Sequence, residues 1–342
     1  MRIHFSILMS AGLGLTLTAC AVPPDEPVAV ASLGSIERYD PALDAIIPKA
    51  AEIEILAEGF VWPEGPVWVA DEAALYFNDV PENKMHRWTS ETGAEMFLTP
   101  SGGAAPDVAG QMREAGANGM IEWSRAPGKL LLADHGARAL TLLDPETRTR
   151  ETLTSGYQGQ TLNSPNDLVE RADGAIFFTD PPYGLAGLNE APEKELSFNG
   201  VFLFQPDAPL KLVTDALSFP NGIGLSPDEQ TLYVAVSDPD GPVLMAYDVD
   251  ADGNVENGRI FVDMAANLEP GNGLPDGLDI AGNGTIFATG PGGVYVIAPE
   301  TGKVLGLIST GLATANCTLD ESEGYLYMTS SSVLARIPIS MR

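Results

Sequence analysis

The sequence predicts an all-β fold, a six-bladed β-propeller with a central channel, and three observations lead to it. Short polar tips recur six times at intervals of about 40–55 residues, which is the period of a repeat architecture. Each tip is followed by an apolar run, a turn, and a second apolar run, as two connected strands would be. The 36 glycines and 27 prolines among 342 residues suit many tight turns. Four-stranded units of about 40–50 residues are typical of propeller blades.

The six tips are three-residue segments whose second residue is always Glu, Asn or Asp and whose third is small or polar. They are Pro63-Glu64-Gly65, Ala117-Asn118-Gly119, Pro165-Asn166-Asp167, Pro220-Asn221-Gly222, Pro275-Asp276-Gly277 and Ala315-Asn316-Cys317. Because the innermost strand of every blade lines one channel, equivalent positions converge on the axis. Glu64, Asn166, Asn221 and Asp276 are therefore expected to meet and to offer oxygen ligands. Hard divalent cations, Ca²⁺ above all, prefer this set.

The first 19 residues have the pattern of a secretory leader. Met1-Arg2 precedes a mostly apolar run to Ala19, which is short for a membrane span. The run ends in Leu17-Thr18-Ala19-Cys20, which resembles a bacterial lipobox, with Cys20 as the lipidated first residue. An ordinary signal peptidase site that happens to precede a cysteine is the alternative. The lipobox predicts export and a lipid anchor at the cell envelope, on the outer membrane or facing the periplasm.

After the leader, residues 20–36 are rich in Pro, Ala, Val and Ser and are interpreted as the lipidated cysteine and a flexible tether. The propeller domain is assigned to residues 37–342. Within it, Asp40 to Ile55 predicts a short helix or a closing segment, and the first blade is expected to begin near Ile53.

Three internal segments are predicted as loops or turns. Residues 101–116 are rich in Gly, Ala and Pro and are interpreted as a loop or lid, and residues 186–199 as an insertion on one face of the propeller. Residues 248–254 resemble the start of an EF-hand loop, but Arg259 stands where the bidentate Glu is needed. Two strands joined by an Asp/Gly turn are the favoured interpretation.

Composition and missing motifs exclude several classes of protein. The 47 acidic residues outnumber the 18 basic ones, which argues against nucleic acid or anionic lipid as a direct partner. The sequence has no Gly-x-Ser-x-Gly, no His-Glu-x-x-His and no phosphate-binding loop. After loss of the leader, Cys317 is the remaining free cysteine. It either faces the channel or is a small buried hydrophobe, and the second interpretation is favoured.

The tips and their neighbours resemble the senescence marker protein / gluconolactonase / luciferin-regenerating enzyme family. The resemblance covers about Ile36 to the C-terminus. It is carried, in order, by residues 63–68 (PEGPVW), 165–167 (PND), 179–185 (TDPPYGL), 220–228 (PNGIGLSPD) and 275–277 (PDG). Residues 180–185 look most like those of bacterial gluconolactonase-like members.

The resemblance implies a propeller with one catalytic divalent metal ion in its channel. The ligands then fall on Glu64, Asn166, Asn221 and Asp276; Ca²⁺ is favoured, with Mg²⁺, Mn²⁺ or Zn²⁺ as alternatives. Asn118 matches a tip that lines the substrate pocket, and His135, Asp180 and Tyr183 are expected to contact substrate beside it. His135 alone is more often structural. The substrate-binding Arg of some animal members has no match here, so the resemblance does not specify the sugar.

The implied reaction is hydrolysis of a lactone, a cyclic ester. A bound metal ion polarises the carbonyl, and Asp276 would act as both ligand and general base. Two alternatives stay open: a hydrolase of organophosphorus or other activated esters with Asp276 as nucleophile, and a non-enzymatic ligand-binding propeller. If Asp276 is only a ligand, Asp167, Asp180 and His135 are the first candidates for the base. The expected partner is a small lactone or ester, with membrane contact only through the anchor.

Overall fold

A computed structural model describes residues 34–269, 271–320, 322 and 324–340, and most regular structure within them is β-strand. The leader, Cys20 and the tether up to residue 33 lie outside the described residues. No helix in the described part of the chain is long and apolar enough to cross a membrane. The first elements are β1 (Ser35–Arg38), α1 (Leu43–Ile46) and β2 (Glu54–Glu58).

The first three blades are consecutive four-stranded antiparallel sheets. Blade 1 contains β3 (Pro63–Val69), β4 (Ala74–Asp79), β5 (Lys84–Thr89) and β6 (Gly93–Leu98), followed by α2 (Pro106–Ala109). Blade 2 contains β7 (Ala117–Glu122), β8 (Leu130–Asp134), β9 (Ala139–Asp144) and β10 (Thr149–Thr154), followed by a small hairpin, β11 (Gly156–Tyr157) and β12 (Gln160–Thr161). Blade 3 contains β13 (Leu168–Glu170), β14 (Ile176–Asp180), β15 (Gly200–Phe204) and β16 (Lys211–Thr214).

The last three blades continue the pattern. Blade 4 contains β17 (Pro220–Leu225), β18 (Thr231–Val236), β19 (Val243–Val249) and β20 (Val255–Asp263). Blade 5 contains β21 (Leu278–Ile280), β22 (Ile286–Gly290), β23 (Gly293–Ile297) and β24 (Val304–Ser309). Blade 6 contains β25 (Thr314–Asp320), β26 (Tyr325–Ser330) and β27 (Val333–Pro338). Short 3-10 turns occupy Ala70–Glu72, Leu188–Glu190 and Ala265–Asn267.

The innermost strands form a closed ring. Strand β3 packs against β7, and β7, β13, β17, β21 and β25 follow in order, until β25 packs against β3 again. The prediction of a six-bladed propeller is therefore confirmed.

The hydrophobic core lies between the blades. The described residues contain six apolar clusters, one at each of the six blade interfaces. In β4, Leu75 and Phe77 pack towards blade 6, whereas Ala74 and Tyr76 pack towards blade 2. Successive side chains of a strand point to opposite faces of the sheet. A strand whose blade packs between two neighbouring blades must therefore be apolar on both of its faces. This explains why the second strands form continuous apolar runs in the sequence.

The N-terminal strands complete the last two blades. Strand β2 pairs with β27, with Glu54 opposite Arg336, and Arg336 Nε donates a 2.8 Å hydrogen bond to the Glu54 carboxylate. The expectation that the first blade begins near Ile53 is therefore wrong, because this segment pairs with the exposed edge of blade 6. Strand β1 pairs with β24, so Ser35 and Ile36 belong to blade 5 and not to the tether. The predicted closing segment with a short helix is confirmed.

The EF-hand-like segment is a hairpin turn between β19 and β20, as favoured above. Val249 lies opposite Val255, and the Asp250 carboxylate accepts the backbone N–H groups of Asp252 and Asn254 at 2.9 and 2.8 Å. Its oxygens therefore stabilise the turn.

We expect that the domain depends on its N-terminal closing segment. A chain beginning at Gly59 lacks β1, β2 and the buried residues Leu43, Ile47 and Ile53. Burial of each such side chain contributes roughly 1.5–3 kcal/mol, so their loss removes about 5 kcal/mol or more, comparable with the whole stability of a domain. A chain beginning at Gly34 is the control and should unfold at the temperature of the full chain. Equal thermal midpoints for the two truncated chains would contradict this closure.

Candidate active site

The six tips all lie at the same end of the channel. Glu64, Asn118 and Asn221 are the second residues of their inner strands, Asn316 is the third of its strand, and Asn166 and Asp276 lie just before theirs. In β3, β7, β17 and β25 the pairing register with the next strand shifts at the tip. Such β-bulges re-aim side chains and often lie next to active sites. The bulges thus turn the polar residues towards the axis.

Neighbouring tips are joined through their backbones. The N–H groups of Gly119 and Gly222 donate to the carbonyl oxygens of Asn166 and Asp276, at 2.8 and 3.0 Å. A Cβ added at Gly222 would lie 2.1 Å from the Asp276 carbonyl oxygen. This close approach explains why the third residue of a tip is so often glycine.

The second residues of the first five tips line one cavity of about 1000 Å³, whereas Asn316 of the sixth tip lines a separate, smaller cavity. Its polar lining includes Glu64, Asn118, Asn166, Asn221, Asp276 and Tyr183, together with Arg113 and Glu114 from the predicted lid. The structure therefore brings together all four predicted metal ligands and two of the four predicted substrate contacts. Apolar residues form another part of the wall, among them Val61, Leu268 and Leu274.

Glu64 is held in place by three neighbours. It is 3% exposed, and its carboxylate accepts Trp62 Nε1–H and the Gly65 N–H, each at 3.3 Å. The Asn316 side chain also hydrogen-bonds to Glu64, while Asn316 Oδ1 accepts the Cys317 N–H at 2.8 Å. Trp62 and Asn316 are therefore site residues that were not assigned a role from the sequence, although Asn316 belongs to the sixth tip.

Two carboxylates share this small region without a basic partner. Burial raises the pKa of Glu64 to about 8, and the charge of Asp167 adds to the shift. Burial raises the pKa of Asp276 well above its ordinary value, and the negative charges of Glu64 and Asp167 reinforce this. Arg113 is the one basic residue among the described residues of the cavity wall, and its guanidinium contacts Glu114 instead.

The donor set fits a hard divalent cation. Asp276 Oδ1 is buried without a hydrogen-bond partner in the described residues, and a cation would compensate the two adjacent negative charges. No cluster of three or more His, Cys, Asp or Glu residues is found in the described chain. A metal here would thus depend on the amide oxygens of Asn166 and Asn221 as well. One Asn221 hydrogen bond, from Nδ2 to Ser237 Oγ at 2.9 Å, fixes the orientation of that amide.

Among the predicted substrate contacts, Asn118 and Tyr183 reach the cavity. Asn118 is 3% exposed, and its Oδ1 has no hydrogen-bond partner in the described chain. The Tyr183 ring stacks on Phe219 with centroids 6.1 Å apart, and its buried hydroxyl is likewise unpaired among the described residues. Both side chains therefore offer unused hydrogen-bonding groups to a ligand.

His135 and Asp180 do not line the cavity, which corrects their expected contact with substrate. His135 is fully buried behind Glu114, with Nδ1 3.6 Å from Glu114 Oε2, and burial lowers its pKa to about 3. Asp180 is fully buried and accepts the Asn163 N–H at 2.8 Å. Asp180 therefore anchors the loop that carries Asn166.

Asp167 and Cys317 lie deeper along the inner strands. Both line a separate cavity of about 290 Å³ and not the larger one. Cys317 is buried, and its Sγ donates to the Phe287 carbonyl oxygen at 3.4 Å, which confirms it as a small buried residue.

Comparisons with known proteins agree with this arrangement. Residues 62–332 match the model of the SMP-30/Gluconolactonase/LRE-like region. The chain belongs to this family. It is 42% identical over 326 residues to the gluconolactonase of Zymomonas mobilis, covering 94% of this chain and 91% of that one.

Solved structures place the fold in the same family. A gluconolactonase from Xanthomonas campestris superposes with a TM-score of 0.75 at 30% identity, covering 94% of this chain and all of that one. A calcium-binding regucalcin from Agrobacterium tumefaciens shares the fold, with a TM-score of 0.63 at 17% identity over 84% of this chain and 95% of that one. The chain is therefore an enzyme of the gluconolactonase type, which removes the non-enzymatic alternative raised by the sequence.

We expect that the tip contacts tolerate no side chain at Gly222. Gly222→Ala places a Cβ against the Asp276 carbonyl oxygen, so the Asp276 tip must move. Overpacking of this kind typically costs about 1–3 kcal/mol, and displacement of the tip should weaken activity at least tenfold. Gly241→Ala is the matched control, because a Cβ there meets no atom within 4 Å. Thermal unfolding and activity measured for both variants test this; a Gly222→Ala enzyme as active as Gly241→Ala would contradict it.

Proposed function

We propose that this enzyme hydrolyses a sugar lactone or a similar cyclic ester, using one divalent metal ion and Asp276 as the general base. The observation that carries the proposal is the pair of adjacent carboxylates, Glu64 and Asp276, at one end of a cavity whose described residues supply them with no basic partner. Similarity to gluconolactonases supports the lactone as substrate class.

Glu64, Asn166, Asn221 and Asp276 would hold the metal ion. When bound, it polarises the lactone carbonyl and stabilises the negative charge that develops on its oxygen. All four side chains offer oxygen, and two carry charge, which favours Ca²⁺, with Mg²⁺, Mn²⁺ or Zn²⁺ as alternatives. The calcium-binding regucalcin from Agrobacterium tumefaciens, which has the same fold, supports this choice.

The remaining tasks fall to side chains of the cavity wall. Asp276 takes a proton from the attacking water as the general base. Asn118 Oδ1 and the Tyr183 hydroxyl would bind hydroxyl groups of the substrate, since neither has a partner in the described residues. No contact among the described residues of the cavity specifically favours an organophosphorus ester, so such esters enter as further substrates in a screen.

Glu64 and Asp276 should respond differently to added metal. Glu64→Gln removes a charged ligand, so it should raise the Ca²⁺ concentration needed for activity, and excess Ca²⁺ should restore part of the rate. Asp276→Asn keeps a ligand oxygen but cannot take a proton, so its rate should fall about 10²–10⁴-fold without rescue. Lactone hydrolysis, followed by acid release across a Ca²⁺ titration, measures both.

Recovery of near wild-type turnover by Asp276→Asn at high Ca²⁺ would show that Asp276 is only a ligand. The base would then have to be another group. Asp167, Asp180 and His135 lie off the cavity wall, which leaves Glu114 as the next buried carboxylate on it.

Export and anchoring form a separate proposal, supported by the sequence from Leu17 to Cys20. Cys20→Ser should release the protein from the membrane fraction or block its processing, because the lipid would be attached to that sulfur. Cys317→Ser is the matched control, since it changes the other cysteine, which is buried in the domain. Cell fractionation and the mass of the processed chain give the readout. Unchanged processing and distribution of Cys20→Ser would contradict the anchor.

A further inference from the structure

Glu114 is a buried acid on the cavity wall that the reaction described so far does not use. It is 8% exposed and lines the same cavity as Asp276, and its charge contributes to the raised pKa of Asp276. It comes from the loop between blades 1 and 2, whose sequence gave no sign of a catalytic residue.

The loop holds this carboxyl group firmly. The backbone N–H groups of Arg113 and Glu114 both donate to the Gly184 carbonyl oxygen, at 3.1 and 3.5 Å. Arg113 Nη1 contacts Glu114 Oε1 and donates to the Tyr183 carbonyl oxygen at 3.1 Å. Glu114 is thus attached to the turn that carries Tyr183. Its position on the wall is fixed by its own loop and by this turn of blade 3.

The surroundings of Glu114 allow it to carry a proton. Burial raises its pKa to about 7, although the charge of Arg113 opposes the shift. His135 faces Oε2 from behind, and its own pKa is lowered to about 3 by burial, so it is neutral and does not hold Glu114 ionised. The other charged or titratable groups near it are Arg113, Tyr183, Glu64 and Asp276. A carboxyl group that is partly protonated near neutral pH suits general acid catalysis.

Opening of a lactone requires a proton at a second place. After water attacks the carbonyl carbon, the bond from that carbon to the ring oxygen breaks, and its electron pair goes to the ring oxygen. An aliphatic alkoxide is a poor leaving group, so protonation of this oxygen assists the step. The proton comes either from Asp276, which has just taken one from the water, or from a second acid on the cavity wall.

We propose that Glu114 is the general acid that protonates the departing ring oxygen, an assignment that rests on the proposed lactone hydrolysis. Glu114 then becomes a carboxylate, and the product leaves with a free hydroxyl group. The new carboxylic acid ionises, Glu114 regains a proton, and Asp276 releases its own to solvent. The net reaction consumes one water and yields a hydroxycarboxylate and one proton, so no further reactant is needed.

The test compares leaving groups. Glu114→Gln should lower kcat at least about 10²-fold on an aliphatic lactone such as glucono-δ-lactone, where the ring oxygen needs the proton. On 3,4-dihydrocoumarin, whose leaving group is a phenol, the loss of kcat should be less than about fivefold, since a phenolate leaves without being protonated. Glu151→Gln is the matched control: it neutralises an exposed carboxylate on β10 that does not line the cavity. It should change neither rate substantially.

Each outcome either supports or overturns the assignment of Glu114 as the general acid. A loss confined to the aliphatic lactone, with an unchanged thermal midpoint, supports the general acid. An equal loss on both lactones, an effect on KM alone, or no loss overturns it. If the wild-type enzyme does not accept dihydrocoumarin, the pH profile of kcat on the accepted lactone is measured instead. The wild-type kcat should then fall at alkaline pH, and Glu114→Gln must abolish that fall. Wild-type enzyme that opens no lactone refutes the proposed function itself, which separates that failure from the failure of this inference.

Discussion

The contact between the backbone of one tip and that of the next is the constraint on which this site depends. A glycine N–H meets the carbonyl oxygen of the neighbouring tip at Gly119 and Gly222, where a Cβ would collide with it. Because the backbones approach so closely, the bulges beside them can direct side chains from six distant segments to one place. The hydrophobic clusters between blades hold the sheets, but these contacts set the positions of the reactive groups.

Electrostatics gives the second constraint. Negative charges buried side by side destabilise the folded chain, and Glu64 and Asp276 are buried near each other, each with a raised pKa. The basic side chain of the cavity, Arg113, is engaged with Glu114. The cavity wall therefore has two chemically distinct regions. At the tips, the adjacent carboxylates favour the binding of a cation. At the lid, the charge of Arg113 lowers the pKa of the Glu114 carboxyl group and burial raises it.

The repeat made the fold and most of the site predictable. Tip residues at a fixed period imply a ring, and the ring alone brings Glu64, Asn166, Asn221 and Asp276 together. His135 and Asp180 were placed wrongly because both follow or end a strand, where a shift of one residue decides which way a side chain points. The pairing of β2 with β27 could not be foreseen either, because it joins residues 282 positions apart. Glu114 lies in a loop without periodicity, so only the folded chain shows that it reaches the cavity.

Closure by the N-terminal strand also has a consequence for the order of events during synthesis. Strand β27 leaves the ribosome after strands β3 to β26, and its partner β2 leaves before them, so the contact order of the closing pair is high and its formation slow. The proposed ligands come from blades 1, 3, 4 and 5, and their mutual positions depend on the closed ring. A nascent chain that still lacks the sixth blade therefore has every one of these ligands but not yet a shared site, and activity should appear only once β27 has been made and has paired with β2.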